Sequence, residues 1–370
     1  MNRQSPVSTA RWIDREDTLA AWLHAHAGAA DAIGIDTEFV RETTFYPRLA
    51  LIQLAIDADI VLVDPLTCSI APLRGWLDSG TARCILHSAG EDIEALRGVL
   101  PDGPPRLYDT QLAAAFAGLG AGIGYQALVA SLRKLDLPKD ATRSDWLRRP
   151  LSPTQLAYAE QDVAHLGALR ASLDALLQRR GYTAWFEEDC ARLRQRAHDR
   201  IDEQPQRGLR AAAGWPIEAL ARLRSLLLWR EHNARLLDVP RGWLLHDEHC
   251  LDLAFSPPDD AEALAVRTRG QRALRARQRA DLLGQLHRPP EAGFVAATQR
   301  PDAAPDGAHK RMLAALRAHV DAEARRLDLP AGLLCPRRTL EALATTGRWP
   351  DEPGGWRQAL LAGPLASLLP

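Results

Sequence analysis

Four acidic residues and one tyrosine have the types and spacing that a metal-dependent catalytic site requires. Asp36 and Glu38 lie two positions apart in AIGIDTEFV, whose alternating apolar residues predict a half-buried β-strand. Because side chains two apart on a strand point to the same side, these carboxylates stand next to each other. Asp92 follows the strand-like RCILHSA at the point where a helix begins. Tyr158 and Asp162 lie four apart, which places both on one face of a helix.

This set of residues suits divalent cations. Two like charges on a strand beside an apolar core are costly unless a positive group lies between them, and no lysine or arginine stands immediately beside any of these acids in sequence. Carboxylate oxygens without thiolates or a histidine cluster are ligands that Mg²⁺ and Mn²⁺ prefer. We therefore predict that metal ions lie between Asp36 and Glu38. Each motif alone also has an ordinary structural explanation, such as an acid in the first turn of a helix for Asp92. The order of all three motifs along one chain indicates a metal site more specifically than any single motif does.

The first 135 residues must position the first two motifs. IGIDTEF, RLALIQLAI and DIVLVDP follow one another closely and are rich in β-branched residues, which predicts a meander of three strands in a mixed sheet. RCILHSA predicts a further strand, and the segments between and after these strands have helical patterns. The sequence therefore indicates an α/β layer with helices packed on the sheet.

The third motif lies on a predicted helix from 152 to 181 with clear ends. Ser152 is a suitable N-cap, Pro153 suits the first helical position, and Gln155 completes a capping box. Gly181 can end the helix in the left-handed conformation. Tyr158 and Asp162 therefore occupy the first half of this helix.

The C-terminal part of the chain contains an internal repeat. ARLLDVPRGWL (234–244) and ARRLDLPAGLL (324–334) lie 90 residues apart and share seven residues in register. Each copy follows one apolar-periodic helix and precedes another. We predict two copies of one small helical domain, separated by the Pro- and Ala-rich RPPEAGFVAATQRPDAAPDG.

Composition narrows the class of protein. The chain has 370 residues and a net charge of −1, so its overall charge predicts neither a nucleic-acid partner nor a membrane. Five scattered cysteines without a CxxC pair suit a reducing compartment. Neither an N-terminal signal sequence nor an apolar stretch long enough to cross a membrane is visible in the sequence. We predict a soluble, cytoplasmic protein with no obligate protein partner.

The motifs resemble those of the ribonuclease D family, 3′→5′ exoribonucleases of the DEDD superfamily. IDTEFVRETTFYPRLALIQL, HSAGEDIEAL and YAEQDVAHL match the three motifs, and RSDWLRRPL (143–151) also fits. A sister subclass has histidine five residues before the last aspartate. Here that residue is Ala157, and Tyr158 stands four before, which indicates the tyrosine subclass. The repeat resembles two helicase-and-RNase-D C-terminal (HRDC) domains, so the resemblance covers the whole chain.

This resemblance implies a fold and a domain order. We expect an α/β protein whose ribonuclease H-like, mixed-sheet exonuclease domain spans 1–203. Two small all-α HRDC-like domains would follow, at 208–289 and 304–370.

The resemblance also implies a mechanism that uses two divalent ions, Mg²⁺ or Mn²⁺. Asp36, Glu38 and Asp162 would hold the first ion, and Asp36 would bridge to the second. Asp92 would support the second ion through water, and Tyr158 would orient the attacking water. The expected substrate is RNA with a free 3′ end, with tRNA precursors the family expectation, and the expected product is a nucleoside 5′-monophosphate.

Several further residues are candidates for RNA contact. Phe39 beside the acids could meet a terminal base, although a core position on the strand suits it as well. Arg143 and Trp146 lie in a loop-like stretch and could contact RNA by charge and stacking. RTRGQRALRARQR (267–279) has six arginines in 13 residues and no acid, so it can engage phosphates or form a solvated basic face. From this run we select Arg267, Arg269, Arg272 and Arg275.

Two alternatives to an exoribonuclease stay open. A DNA-directed 3′→5′ exonuclease would use the same metal chemistry, because nothing in the four acids reports the 2′-hydroxyl. A non-catalytic RNA-binding protein could keep the nuclease fold, but the presence of all four motif acids argues against it.

Overall fold

The computed structural model describes residues 8–138, 144–198, 201–301, 306–350 and 354–369. Within these residues the chain forms two compact units. The first consists of the described parts of Met1–Val40, Leu49–His198 and Pro305–Pro370. The second consists of Arg41–Arg48 and the described part of Asp199–Ala304. None of the described helices combines the length and apolar composition that a membrane crossing requires.

A mixed sheet of six strands forms the centre of the first unit, as counted over the described residues. The strand order is β1-β4-β3-β2-β5-β6. Strand β3 runs antiparallel to β4, whereas β1 pairs with β4, β2 with β5, and β5 with β6 in parallel. The mixed sheet confirms the prediction from sequence. The strands are β1 (Arg11–Ile13), β2 (Ala32–Val40), β3 (Arg48–Ile56), β4 (Asp59–Val63), β5 (Arg83–Leu86) and β6 (Leu107–Asp109).

Helices make up most of the remaining described residues. In chain order they are α1 (Glu16–Ala25), α2 (Ala71–Ser79), α3 (Gly90–Ala95), α4 (Thr110–Phe116), α5 (Tyr125–Arg133), α6 (Pro153–Ala164), α7 (Leu166–Arg180), α8 (Thr183–Arg194), α9 (Ile217–Leu236), α10 (Arg241–Leu244), α11 (Asp247–Phe255), α12 (Ala261–Arg267), α13 (Ala276–His287), α14 (Ala292–Ala296), α15 (Gly307–Leu327), α16 (Ala331–Leu334), α17 (Arg337–Thr346) and α18 (Gly355–Ala366). The predicted α/β class with many helices after the sheet is confirmed.

Apolar side chains cover both faces of the sheet. On one face Ile33, Ile35 and Leu54 join a core that includes Leu19 of α1 and Leu73 of α2. On the other face the core includes residues of α4, α5, α7 and α8, and helices α15–α18 of the C-terminal segment add to it. Burial of two such faces provides the main free energy that holds β2 rigid in the middle of the sheet.

The predicted helix from 152 to 181 has the expected ends but is interrupted in the middle. Ser152 and Gln155 form the capping box, and Gly181 ends the second half with a φ of 73°. Between α6 and α7, His165 leaves the regular helical conformation, with φ −109° and ψ −2°. The cause is a side chain from another helix, because the Tyr125 hydroxyl bonds to both the Gln161 carbonyl and the His165 amide.

Both copies of the sequence repeat adopt the same local structure. Asp238 and Asp328 have φ of 49° and 50°, which is the left-handed region, and each is followed two residues later by a proline and a one-turn helix. The second copy belongs to the first unit, where Arg357 of α18 forms an ion pair with the buried Asp189 of α8. Trp356 stacks on Trp185 with ring centroids 4.4 Å apart.

The second unit contains α9 to α14 and also the short segment 41–48. Phe45 of that segment is 6% exposed and lies in the core of this unit. The guanidinium groups of Arg235 and Arg241 lie 4.8 and 4.6 Å from its ring centroid. One carboxylate oxygen of Asp238 accepts hydrogen bonds of 3.0 Å from the backbone amides of Phe45 and Tyr46. The segment is thus fixed by apolar, cation–π and hydrogen-bond contacts.

We expect Phe45→Ala to destabilise the second unit strongly. Removal of a buried phenylalanine side chain costs about 3–5 kcal/mol, because it removes buried apolar area and leaves a cavity. Phe255→Ala is the matched control, since Phe255 lies in the same unit but is 57% exposed. It should cost about 1 kcal/mol or less. Urea denaturation followed by tryptophan fluorescence measures both, and equal effects would show that Phe45 is not a core residue.

Candidate active site

The structure brings three of the four predicted acids together. Asp36 and Glu38 lie on β2, in the middle of the sheet, and α6, which carries Asp162, packs on β2. One carboxylate oxygen from each of these three residues lies within 4.8 Å of the others. A single ion can contact oxygens this close, so the cluster has the donor chemistry that a hard divalent cation requires.

Gly34 allows the helices to approach β2 closely. A Cβ atom at this position would lie 3.2 Å from Cδ1 of Leu166 and 3.5 Å from Cβ of Ala55. Leu166 is the first residue of α7, directly after the interruption that follows α6. A side chain larger than hydrogen at position 34 would therefore push the helices away from the strand that carries Asp36.

Asp92 is held beside the cluster but is not a member of it. Its side chain is 7% exposed, and Oδ1 accepts a hydrogen bond of 2.5 Å from Thr37 Oγ1. Thr37 stands between Asp36 and Glu38 in sequence, so this bond ties α3 to the strand of the first motif. Asp92 is nevertheless the acid whose charge acts most strongly on Asp36.

Burial raises the pKa of every acid in the site, and repulsion from other carboxylates adds to each shift. The pKa of Asp36 lies well above its usual value because of burial and then the charges of Asp92, Asp162 and Glu38. Burial, followed by the charges of Asp162 and Asp92, raises the pKa of Glu38 to about 8. Burial raises the pKa of Asp162 to about 7 and that of Asp92 to about 6, although hydrogen bonds from Tyr158 and Thr37 oppose these shifts. Among the residues that the structure describes, no basic side chain is a cause of these four shifts, so the described part of the site lacks positive charge of its own.

Tyr158 faces the cluster from the same helix as Asp162. The Tyr158 phenol acts on the pKa of Asp162, as expected for two side chains four residues apart on one helix face. Burial and then the charges of Asp162, Glu38 and Asp36 raise the pKa of the Tyr158 phenol above its usual range. The hydroxyl therefore keeps its proton at neutral pH and acts as a hydrogen-bond donor.

Tyr125 is a residue near the site that the sequence did not indicate. It is the first residue of α5, and the charges of Asp162 and Asp36 both contribute to raising the pKa of its phenol, after burial. Nothing in its spacing relates it to the three motifs. Only the packing of α5 beside the interruption at His165 brings it there.

The predicted RNA contacts of the nuclease motifs have mixed outcomes. Phe39 is half-buried next to Glu38 and is absent from the four core clusters of the described residues. Trp146, in contrast, is 4% exposed and packs with Leu51 and Leu62. A ring this deeply buried has no face for a base to stack on, so packing explains Trp146 better than RNA contact. Arg143 lies outside the described residues.

An ion pair anchors the segment that carries Trp146. Two nitrogens of Arg149 donate hydrogen bonds of 2.7 Å to the carboxylate of Asp64, whose side chain is 3% exposed. Nη1 of the same guanidinium donates to the carbonyl of Trp146, and Nη2, which also donates to Asp64, donates to the carbonyl of Ala50. The RSDWLRRPL motif is therefore, over its described residues, an anchored segment rather than a free loop.

The four arginines selected from 267–279 lie in the second unit and differ in their contacts. Arg267 donates hydrogen bonds to Asp252 and to the carbonyl of Ser256, so its charge is already paired. The guanidinium of Arg272 lies 5.3 Å from the ring centroid of Trp243. Arg269 and Arg275 are exposed. The run spans the end of α12, a connecting segment and the start of α13, so it is not one continuous helix face.

Comparison with known proteins agrees with this architecture. A family model described as a 3'-5' exonuclease matches residues 10–178. Ribonuclease D of Xanthomonas oryzae pv. oryzae is 40% identical over 362 residues, which cover 97% of this chain and 98% of the relative. Ribonuclease D of Pseudomonas paraeruginosa is 34% identical over 373 residues, 97% of each chain.

Solved structures show the same likeness. The crystal structure of Escherichia coli RNase D, described as an exoribonuclease involved in structured RNA processing, has a TM-score of 0.86 and 27% identity, and the match covers 97% of this chain and 98% of that chain. The catalytic core of RRP6 from Trypanosoma brucei has a TM-score of 0.58 at 19% identity, over 77% of this chain and 82% of that chain, and supports the fold alone.

These matches confirm the predicted family and its nuclease activity. Exonucleases of this family use divalent metal ions, and the carboxylate cluster has the donor set that such ions need. With 40% identity over nearly the whole of both chains, this protein belongs to the ribonuclease D family of metal-dependent 3′–5′ exoribonucleases.

Proposed function

We propose that this protein shortens RNA one nucleotide at a time from a free 3′ end and releases nucleoside 5′-monophosphates. The observation that carries the proposal is the carboxylate cluster of Asp36, Glu38 and Asp162, in which ligand oxygens from β2 and α6 lie within 4.8 Å of one another. The family assignment adds the reaction class to this geometry.

The four motif acids would hold two divalent ions, Mg²⁺ or Mn²⁺. In our assignment, Asp36, Glu38 and Asp162 would bind one ion. Asp36 would also contact the second ion, which Asp92 would support. When bound, such ions lower the pKa of a coordinated water and neutralise the charge that develops on the leaving 3′-oxygen. The protein contributes a buried site whose acids are pre-assembled on β2, α3 and α6.

Tyr158 would orient the attacking water. It lies on the same helix as Asp162, and its raised pKa keeps the proton on the oxygen at neutral pH. A phenol in this state is a poor general base, so we assign it the role of hydrogen-bond donor rather than proton acceptor. Thr37 would fix the rotamer of Asp92 through the hydrogen bond between their side chains.

We propose structured RNA with a single-stranded 3′ end as the substrate class, with tRNA precursors as the specific case. The E. coli relative is described as acting in structured RNA processing. Phe39, which is half-buried next to Glu38, would meet a terminal base, and the exposed Arg269 and Arg275 would meet phosphates. We propose the cytoplasm as the location, because five free and buried cysteines suit a reducing compartment.

A gel assay with 5′-labelled RNA tests the function. The substrate carries a single-stranded 3′ end, beside the same RNA with a blocked 3′ end and the matching DNA. We expect a ladder that shortens from the 3′ end, only on the unblocked RNA, with nucleoside 5′-monophosphates on thin-layer chromatography. Equal or faster shortening of DNA would favour a DNA exonuclease. Intact RNA with retained binding would favour a non-catalytic RNA-binding protein.

A further inference from the structure

A single hydroxyl group replaces one rung of the helical hydrogen-bond ladder directly after Asp162. In a regular α-helix the amide of His165 would donate to the carbonyl of Gln161, four residues earlier. Here the Tyr125 hydroxyl donates to the Gln161 carbonyl at 2.8 Å and accepts from the His165 amide at 3.2 Å. The hydroxyl thus inserts between the two groups and satisfies both.

This insertion explains why α6 and α7 are two helices. Side chains or waters that enter the ladder are a known cause of sharp helix kinks. The ladder resumes at once on the other side, because the Leu169 amide donates to the His165 carbonyl at 2.9 Å. The interruption therefore lies at the junction of the two helices, where the Tyr125 hydroxyl is an identifiable cause.

The altered hydrogen bond lies directly beside Asp162, the acid that completes the carboxylate cluster. Asp162 lies between the two backbone groups that the hydroxyl bonds, in the last turn of α6. It must project from that turn toward Asp36 and Glu38, which lie on β2. The orientation of the last turn therefore decides whether the three carboxylates converge.

Tyr125 is itself held in place from the other side. Its ring meets the ring of His87 edge-on, with centroids 5.6 Å apart and an interplanar angle of 66°. Nδ1 of His87 lies 2.9 Å from Oγ1 of Thr110, and that hydroxyl donates to the carbonyl of Leu86. A chain of fixed contacts thus runs from the end of β5 to the end of α6.

We propose that Tyr125 is a positioning residue for the reaction. Its hydroxyl takes the place of the hydrogen bond between the His165 amide and the Gln161 carbonyl. It thereby holds the last turn of α6 in the orientation that directs Asp162 to Asp36 and Glu38. The inference rests on the proposed function, because it takes Asp162 as a metal ligand. Without the hydroxyl, the His165 amide can bond to the Gln161 carbonyl, and the two helices can join into one.

Tyr125→Phe removes only this hydroxyl and tests the proposal. We expect Mn²⁺ affinity, measured by electron paramagnetic resonance, to fall roughly 10-fold, as for other residues that orient metal ligands. We expect kcat to fall by a similar factor with little change in the KM for RNA. Tyr182→Phe is the matched control, since its hydroxyl donates to the Leu327 carbonyl at the same 2.8 Å. It should change neither quantity more than about twofold.

A double-mutant cycle separates positioning from general structural support. If Tyr125 acts through Asp162, Tyr125→Phe has no further effect on Mn²⁺ affinity in an Asp162→Asn background. Equal losses in both backgrounds, or no loss in the wild-type background, would overturn the proposal. Circular dichroism melts confirm that each variant is folded.

Amide hydrogen exchange of His165 gives a readout that does not depend on nuclease activity. Exchange of this amide should change in Tyr125→Phe and stay unchanged in Tyr182→Phe. An unchanged exchange rate of the His165 amide in Tyr125→Phe would show that the hydroxyl does not bond to this amide. That result would overturn this inference and leave the proposed function standing. Wild-type protein that binds no Mn²⁺ and cuts no RNA would instead refute the proposed function, and this inference with it.

Discussion

Replacing Asp36 by asparagine is expected to lower the rate of RNA hydrolysis by at least about 10³-fold, because the metal ions that we propose it helps to hold would supply several kcal/mol of transition-state stabilisation. Asp36 lies at the centre of the cluster, where the charges of Asp92, Asp162 and Glu38 all act on it. Asparagine has nearly the same shape but loses the charge that attracts a divalent ion. Single-turnover assays with saturating Mg²⁺ measure the loss directly.

The same substitution should leave the metal-free protein at least as stable at pH 8. Burial and repulsion raise the pKa of Asp36 in the folded state above its unfolded value. The folded state then holds more protons than the unfolded state between these two values, so the free energy of unfolding falls as the pH rises through that interval. Asparagine does not titrate and removes the part of this dependence that Asp36 contributes. Thermal melts at pH 5 and pH 8 without metal measure it.

Asp31→Asn is the matched control for Asp36→Asn. Asp31 directly precedes β2, its side chain is 84% exposed, and it pairs with Arg170 on the surface. An exposed pair of this kind contributes little to stability, and we expect activity to be unchanged. If Asp36→Asn retained the activity of Asp31→Asn, or if it unfolded, Asp36 would be a structural residue and the site would be wrongly assigned.

Local patterns in the sequence were sufficient for the elements that carry the acids. Strict alternation identified β2 and placed Asp36 and Glu38 on one side of it. Ser152 and Gln155 marked the start of α6, because a capping box depends only on residues three apart. The strand pattern and the capping box depend only on residues that are close in sequence, and the structure contains both β2 and the capping box of α6.

Features that depend on distant residues were not predictable in this way. The interruption at His165 requires the hydroxyl of Tyr125, which lies 40 residues earlier on another helix. Trp146 was interpreted as a loop residue because its burial depends on Arg149 reaching Asp64, 85 residues away. Phe45 lies in the polar-looking RETTFYPR, yet it is a core residue of the second unit. In each case a tertiary contact overrides the local pattern.

Removing divalent ions is expected to abolish RNA hydrolysis reversibly. Four carboxylates with no basic partner cannot neutralise the charge that develops on the leaving oxygen, so the residues alone supply no substitute for the metal. EDTA should reduce the rate to the level of Asp36→Asn, and excess Mg²⁺ or Mn²⁺ should restore it. Hydrolysis that persists after exhaustive chelation would refute a metal-dependent site.

Metal affinity should also depend on pH, and the raised pKa values of the acids determine the direction of this dependence. Without metal, the pKa of Glu38 is about 8 and that of Asp162 about 7, so both hold protons below neutral pH. A divalent ion must displace these protons, and each proton released weakens binding about tenfold for every unit by which the pH is lowered. Affinity should therefore fall between pH 8 and pH 6, more steeply at the lower end.

Calorimetric titration in two buffers of different ionisation enthalpy counts the protons released. Asp162→Asn should release fewer protons, with a difference approaching one at pH 6, whereas pH-independent binding would mean that the ion does not bind to these carboxylates.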